Sequence, residues 1–300
     1  MKISIIGAGH VGSNTALFCL MKGLGEKIVL LDVVPGVPQG KALDLNQSAI
    51  VFGMSGRVYG TNNYEDIFSS DIVVVTAGFP RKEGMARLDL LRKNAEVILE
   101  TAQNIKKYSS GSIVILVTNP LDVMSYLFYK KSGFPKNKVM GMAGVLDTAR
   151  FSYYLEKDIG VQSAQIDSIV LGIHGENMVP VAGDLSQIMS KENIDKIAVS
   201  TRQGGAEIIR HLKTSAAIAP AASVVKMIET IINDKKDTCP VSVYLDGEYG
   251  YSDIFLGVPV KLGKNGVEEI IELKLSEETQ KKLDKAAGEV RIGIKDIAEK

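Results

Sequence analysis

Cysteine is scarce, long apolar runs are missing and neither sign of charge is in excess; each shortage removes a class of protein. The two cysteines, Cys19 and Cys239, lie far apart in 300 residues without C-x-x-C spacing, so neither a disulfide framework nor structural zinc is expected. The chain opens on the strand-like MKISIIG with no charged-then-apolar leader, which together with the isolated thiols favours a reducing cytoplasm. The longest apolar runs, residues 72–77 and 113–117, fall far short of the roughly 20 residues a membrane span needs. A soluble protein is expected, with no membrane partner. Lys plus Arg and Asp plus Glu stand at 35 each, and no dense basic block is interleaved with aromatics, so nucleic acid is not an expected partner. No internal repeat or low-complexity linker is visible. What remains is an ordinary globular chain, long enough for one large or two moderate domains.

The first half alternates short β-branched runs (residues 2–6, 27–31, 72–76 and 113–118) with longer amphipathic ones. Such alternation predicts an α/β fold with a doubly wound parallel sheet of the Rossmann type. Leu91, Ala95, Ile98, Ala102 and Ile105 form one apolar stripe, predicting a helix to about Tyr108. Past residue 142 the texture changes to helices, a strand at 167–173, and paired runs at 241–245 and 254–262 joined by DGEYGYSD. Asn265-Gly266 adds a hairpin signal. The expected division is a Rossmann domain over residues 1–142 and an α+β domain with antiparallel strands over 143–300. In SAAIAPAASVVKMIETII, Pro220 should start or kink a helix, and residues 276–300 read as a charged surface helix capped by Ser276.

Gly7-Ala8-Gly9-His10-Val11-Gly12 is G-x-G-x-x-G, a weak signal by itself in a chain with 29 glycines. Its context strengthens it: an apolar strand precedes it, the helix-like SNTALFCLMK follows, and Asp32 ends the next strand about 20 residues beyond the last glycine, as in a dinucleotide fingerprint. Glycines there let the backbone turn and approach a pyrophosphate at a helix N-terminus, where unpaired N–H groups favour negative charge. The Asp32 carboxylate can accept bonds from ribose hydroxyls and repels a 2′-phosphate, and Val33 and Val34 supply no compensating cation. NAD is therefore expected over NADP.

Four further features are each open to two readings. Residues 76–94, TAGFPRKEGMARLDLLRKN, carry Arg81 and Arg87 on a stretch with Gly78 and Gly84; they form either an anion-gripping lid or solvated loop charges. Asn119, before Pro120, is most simply a helix N-cap, yet the carboxyl ends of parallel strands are where open α/β sheets bind ligands. Asp147 and Arg150 in GVLDTARF share a helix face and form either a surface ion pair or part of a site. His174, one of only three histidines, sits in GIHGENMVP right after a predicted buried strand, as a site residue or a hairpin turn.

In this order and near these spacings, IIGAGHVG with Asp32, VTAGFPRKEGMARLDLLRKN, VTNPLDVM, GVLDTARF and GIHGENMVP resemble the lactate/malate dehydrogenase family over essentially the whole chain. The resemblance implies that His174 donates and accepts the proton, oriented and made more basic by Asp147. It implies that Arg150 grips the carboxylate beside the reacting carbon, that Arg87 swings in with the lid to polarise the carbonyl, and that Asn119 hydrogen-bonds substrate near the nicotinamide. Arg81 matches the family's discriminator, where arginine goes with oxaloacetate and malate and glutamine with pyruvate and lactate. For NAD, the resemblance implies Gly7, Gly9, His10, Val11, Gly12, Asp32, Thr76, Ala77, Gly78, Asn94, Val117 and Asn119, with no metal. A small dicarboxylate substrate and a homo-oligomer, dimer or tetramer, are implied as well; the run GKALDLNQSAIVF fits either a subunit interface or ordinary packing on the sheet. Two positions depart from the family pattern: Glu83, where a proline is common, and Glu176-Asn177, in place of an acidic-then-hydroxyl pair. Competing readings are another 2-hydroxyacid dehydrogenase, disfavoured by Arg81, an NAD-dependent glycosidase, which would add a metal, and a noncatalytic NAD sensor.

Overall fold

Strand and helix alternate through the first half because runs of Ile and Val, apolar on both faces, can be satisfied only between two layers of helix. The computed structural model describes residues 1–80, 87–160, 168–183 and 189–298, without the side chains of Arg87 and Ile159. In order, the first half runs β1 (Lys2–Ile6), α1 (His10–Met21), β2 (Lys27–Leu31), α2 (Val37–Val51), β3 (Arg57–Thr61), β4 (Ile72–Val75), α3 (Arg87–Tyr108), β5 (Ile113–Leu116), α4 (Leu121–Ser132) and β6 (Val139–Gly141). The second half runs α5 (Gly144–Ile159), β7 (Ser168–Leu171), β8 (Val179–Ala182), α6 (Lys191–Leu212), α7 (Ile218–Ile232), β9 (Asp237–Asp246), β10 (Ser252–Gly263), β11 (Gly266–Ile270) and α8 (Glu277–Ala298).

One nine-stranded sheet orders these as β11-β10-β9-β6-β5-β4-β1-β2-β3. Its parallel part reads 3-2-1-4-5-6, the doubly wound order whose direction reverses beside β1, and every residue of β4 and β5 is buried. The antiparallel strands continue the same sheet: β6 meets β9 at the single register pair Gly141↔Ser242. Strands β7 and β8 form a separate antiparallel pair. Beneath them Phe151, Leu155, Val170, Met178 and Ile197 make a small core of their own, which braces the loop between β7 and β8 against α5 and α6.

Several local expectations hold: the stripe from Leu91 to Ile105 is buried in α3, Pro220 lies in the first turn of α7, and Ser276 Oγ accepts the Thr279 N–H at 3.2 Å before α8. Strands β3 and β6 carry too little pattern to be read, β3 being a half-exposed edge strand and β6 only three residues long. The hairpin at Asn265-Gly266 needs a correction of one residue. Gly263 pairs with Gly266, so Lys264-Asn265 is the turn and Gly266 opens β11 at φ 89°, where a Cβ would lie 2.1 Å from the Asn137 carbonyl oxygen.

Candidate active site

The glycine loop sits at the carboxyl end of β1, beside the reversal of strand order. Gly12 approaches the preceding turn so closely that a Cβ would stand 1.9 Å from Gly7 O, which only glycine permits. Gly7 has φ 105°, and Thr76 Oγ1 donates to its carbonyl at 3.0 Å, stitching the loop to the end of β4. Helix α1 begins with no side-chain cap and no acidic residue in its first turn, and open space lies in front of Gly9. Free amides, a positive dipole end and room for close approach fit a pyrophosphate. Asp32 accepts Ala8 N–H at 2.7 Å and Val34 N–H at 3.0 Å, and among the described residues no cation pairs with it. Exposed Val33 and Val34 follow it. This surface suits a ribose with free hydroxyls and, among the described residues, offers no cation to neutralise a 2′-phosphate.

On the other side of β1, the segments after β4 and β5 are locked together by Asn94, which is buried. Its Oδ1 accepts Phe79 N–H at 2.7 Å, and its Nδ2 donates to Asn119 O at 2.7 Å. A Cβ on Gly78 would lie 2.5 Å from Thr118 Cγ2, so Ala77, Gly78 and Val117 line adjoining loops. Asn119 is exposed at the strand end, but the simple expectation that it caps the next helix is wrong. The Asn119-Pro120 bond is cis, and Pro120, with extended backbone, is the residue that precedes α4.

His174 lies in the β7–β8 loop, its side chain 17% exposed, and its Nδ1 is 2.7 Å from Asp147 Oδ2. A carboxylate is an acceptor only, so Nδ1 carries the proton and Nε2 is left for exchange. Burial pulls the imidazole toward its neutral form and Arg150 does the same, but the charge and hydrogen bond of Asp147, with a further pull from Asp122, leave His174 above the usual histidine range. The other oxygen of Asp147, Oδ1, accepts Arg150 Nη1 at 3.0 Å, and Asp147 itself is only 2% exposed. Asp147 thus joins a base and a guanidinium through its two oxygens.

His174 and Arg150 open on different cavities. His174 lines a space of about 230 Å³ with Leu88, Leu91, Pro120, Asp122, Ile173 and the α8 residues Glu289, Ile292 and Asp296. Arg150 lines one of about 470 Å³ between α5, α6 and α7, with Leu146, Tyr154, Gly204 and Ile208. The shared partner Asp147 keeps both groups near one another, while the guanidinium in this structure rests on Asp147. Arg81, Glu83 and Gly84 lie outside the described residues, and of Arg87 only its position as the first residue of α3 is described, next to the cavity-lining Leu88.

Two residues of this neighbourhood escaped the sequence reading. Asp122 is buried and accepts the His174 main-chain N–H at 3.0 Å. Glu289 accepts Asn177 Nδ2 at 2.7 Å, so the unusual Glu176-Asn177 pair ties the histidine loop to α8. No spacing pattern links Asn177 to Glu289, because the contact spans 112 positions; for Asp122, its place in NPLD, three residues after the exposed Asn119, was the available signal.

Comparison with known proteins adds family resemblance over the full length. A family model described as the lactate/malate dehydrogenase NAD binding domain matches residues 1–141, and one described as the lactate/malate dehydrogenase alpha/beta C-terminal domain matches residues 144–300. A malate dehydrogenase of Chlorobium limicola is 48% identical over 295 residues, covering 96% of this chain and 95% of that protein. Among solved structures, Cryptosporidium parvum malate dehydrogenase superposes with a TM-score of 0.95 at 41% identity, covering 100% of this chain and 99% of the other. The lactate dehydrogenase of the same organism, solved with lactic acid and the NAD cofactor, also gives 0.95 at 41% identity, over 100% and 98%.

Proposed function

This chain belongs to the lactate/malate dehydrogenase family, and from that premise we propose that it is an NAD-dependent malate dehydrogenase interconverting (S)-malate and oxaloacetate, with His174 as its acid/base. The observation that carries the reading is the Asp147 Oδ2 to His174 Nδ1 contact at 2.7 Å. It fixes the tautomer of a mostly buried imidazole beside a cavity.

NAD is held by Gly7, Gly9, His10, Val11 and Gly12 at the start of α1, by Asp32 on the ribose, and by Thr76, Ala77, Gly78, Val117 and Asn119 along the loops that Asn94 braces. When bound it supplies the acceptor or donor of hydride. His174 takes the hydroxyl proton in one direction and returns it in the other, and Asp147 stabilises the imidazolium. Arg150 leaves its resting place on Asp147 to grip the carboxylate beside the reacting carbon, Arg87 polarises the carbonyl, and Asn119 hydrogen-bonds the substrate. Identity alone does not separate malate from lactate, since the two Cryptosporidium parvum enzymes resemble this chain equally. Arg81 carries that choice: its cation matches the second carboxylate of a dicarboxylate.

A homo-oligomer, dimer or tetramer, belongs to the same reading. Helix α2 leaves Leu43, Ile50 and Val51 exposed, with Phe52 directly after it, between 62% and 80%, more apolar surface than one helix usually shows to water. A reducing cytoplasm suits the two free, buried thiols.

The experiment is the loss of NADH absorbance after mixing with oxaloacetate and, separately, with pyruvate. Rapid loss with oxaloacetate and little with pyruvate is expected. The reverse preference would make the enzyme a lactate dehydrogenase, and NADH binding without oxidation of either kind would make it a sensor.

A further inference from the structure

Two carboxylates meet His174, and only one of them touches its ring. Asp122, in the first turn of α4, accepts the main-chain N–H of His174 with Oδ2 at 3.0 Å and the hydroxyl of Ser242 with Oδ1 at 2.6 Å. Ser242 is fully buried and is the β9 residue paired with Gly141 where the parallel strands give way to the antiparallel ones. Three segments remote in sequence, the N-terminus of α4, the sheet junction and the β7–β8 loop, therefore converge on one side chain.

We propose that Asp122 is a positioning residue for the acid/base histidine, anchoring the His174 backbone to the sheet junction through Ser242 while Asp147 fixes the ring. The proposal rests on the reading of His174 given above. A loop free to shift would carry the imidazole with it, and displacement by about 1 Å from the reacting geometry can cost on the order of a hundredfold in rate. Held at its main chain by one carboxylate and at Nδ1 by the other, His174 has both its place and its tilt determined.

Asp122 also acts through charge. Each oxygen accepts from a separate donor, an arrangement that suits a carboxylate; burial raises the carboxyl above its ordinary value, and the Ser242 hydroxyl, the His174 amide and the imidazole offset only part of that rise. The groups facing His174 are Asp147 and Arg150 from α5 and Asp122 from α4, with Glu289 and Asp296 of α8 on the cavity wall. Of these, Asp122 and Arg150 act on the ring by charge, in opposite directions, and only Asp147 also by a hydrogen bond.

Two variants separate anchoring from charge. Asp122→Asn keeps an oxygen for the His174 N–H and gains an amine that can donate to Ser242 Oγ, but loses the charge. Its pH profile for oxaloacetate reduction should have an alkaline limb lower by about half a unit or more, and the His174 ring titration followed by NMR should move with it. Asp122→Ala loses the anchor, and kcat should fall about tenfold or more while KM and the NADH Kd, read from NADH fluorescence, change less than about twofold. An Asp122→Ala variant that keeps the wild-type kcat overturns the anchoring, and an alkaline limb in Asp122→Asn that coincides with wild type overturns the part assigned to its charge. A fall in NADH affinity in Asp122→Ala as large as its fall in kcat also overturns the anchoring, since that is the mark of a general structural role. Should the alanine variant fail to fold, Ser242→Ala takes its place by cutting the anchor at its far end: kcat should fall severalfold with NADH affinity kept, and an unchanged kcat overturns the anchoring. A wild-type profile without any limb would remove His174 from the chemistry, an outcome distinct from a limb that Asp122→Asn leaves in place.

Discussion

Asp147 and His174 come from different elements, a helix and a loop, yet Oδ2 of one lies 2.7 Å from Nδ1 of the other. Because the carboxylate favours imidazolium, His174 titrates above the ordinary histidine range in spite of its burial. The sign of the pH dependence follows. On the proposed role of His174, reduction of oxaloacetate needs the protonated ring and should weaken as pH rises through that elevated value, whereas oxidation of malate needs the neutral ring and should weaken as pH falls through it. Single-turnover NADH traces in both directions across pH 5 to 10 measure this; two flat profiles would exclude His174.

Replacing Asp147 by asparagine separates the partner's charge from its shape. The amide can still sit beside both His174 and Arg150, but it no longer enforces a proton on Nδ1, and the ring can adopt the tautomer that cannot take a proton at Nε2. A loss of about a hundredfold or more in kcat is expected, with the alkaline limb of reduction moved to lower pH. Steady-state kinetics with unchanged NADH affinity would check it, and a variant within a factor of a few of wild type would show that Asp147 is only structural.

On the proposed function, substrate choice turns on Arg81. In a closed site, pyruvate would leave that guanidinium facing a methyl group, and an unpaired buried charge costs about 3 to 5 kcal/mol, equivalent to roughly two to three decades. Arg81→Gln should therefore shift the ratio of kcat/KM for oxaloacetate over pyruvate by a comparable factor, less if the site admits water. A ratio that hardly moves, measured with both substrates at fixed NADH, would assign selectivity elsewhere.

The parts of this architecture that repeat at short range were readable before any coordinates. The glycine loop and Asp32 are separated by one strand-helix-strand unit, and Leu91 to Ile105 repeat at helical spacing, so local sequence contains the signal. His174 could be singled out by its place after a buried strand. Its partner could not be found from spacing, because 27 positions separate it from Asp147, and the family resemblance supplied the pairing. The contacts of Asp122 are hidden for a related reason, its place in NPLD being the one local signal: its bonds to His174 and Ser242 span 52 and 120 positions, and they exist only once the sheet brings β6 against β9. Asn119 misled because a short polar residue before a proline is the usual mark of an N-cap, and in this fold the proline itself takes the position before α4.

Outside the site, a test of the scaffold is offered by Glu229 on α7. Its carboxylate receives Lys22 Nζ at 2.8 Å, from just past the end of α1, and Lys235 Nζ at 3.1 Å. Those two hydrogen bonds hold the carboxyl down at about 2, against an ordinary value of 4.5. A carboxyl depressed in the folded state stabilises above its unfolded value, and the contribution is lost as pH falls through 4.5 toward 2. Lys22 is 51% exposed and Lys235 33%, so solvent screening leaves about 1 kcal/mol of the nominal effect, worth about 2 °C in Tm for a chain of this size. Glu229→Gln should therefore melt about that much earlier at pH 7, with the gap closing as wild type is brought toward pH 2. Thermal melts of both proteins at matched pH and low salt measure the gap, and one that stayed constant down to acid would attribute the loss to altered packing between α1 and α7 rather than to charge.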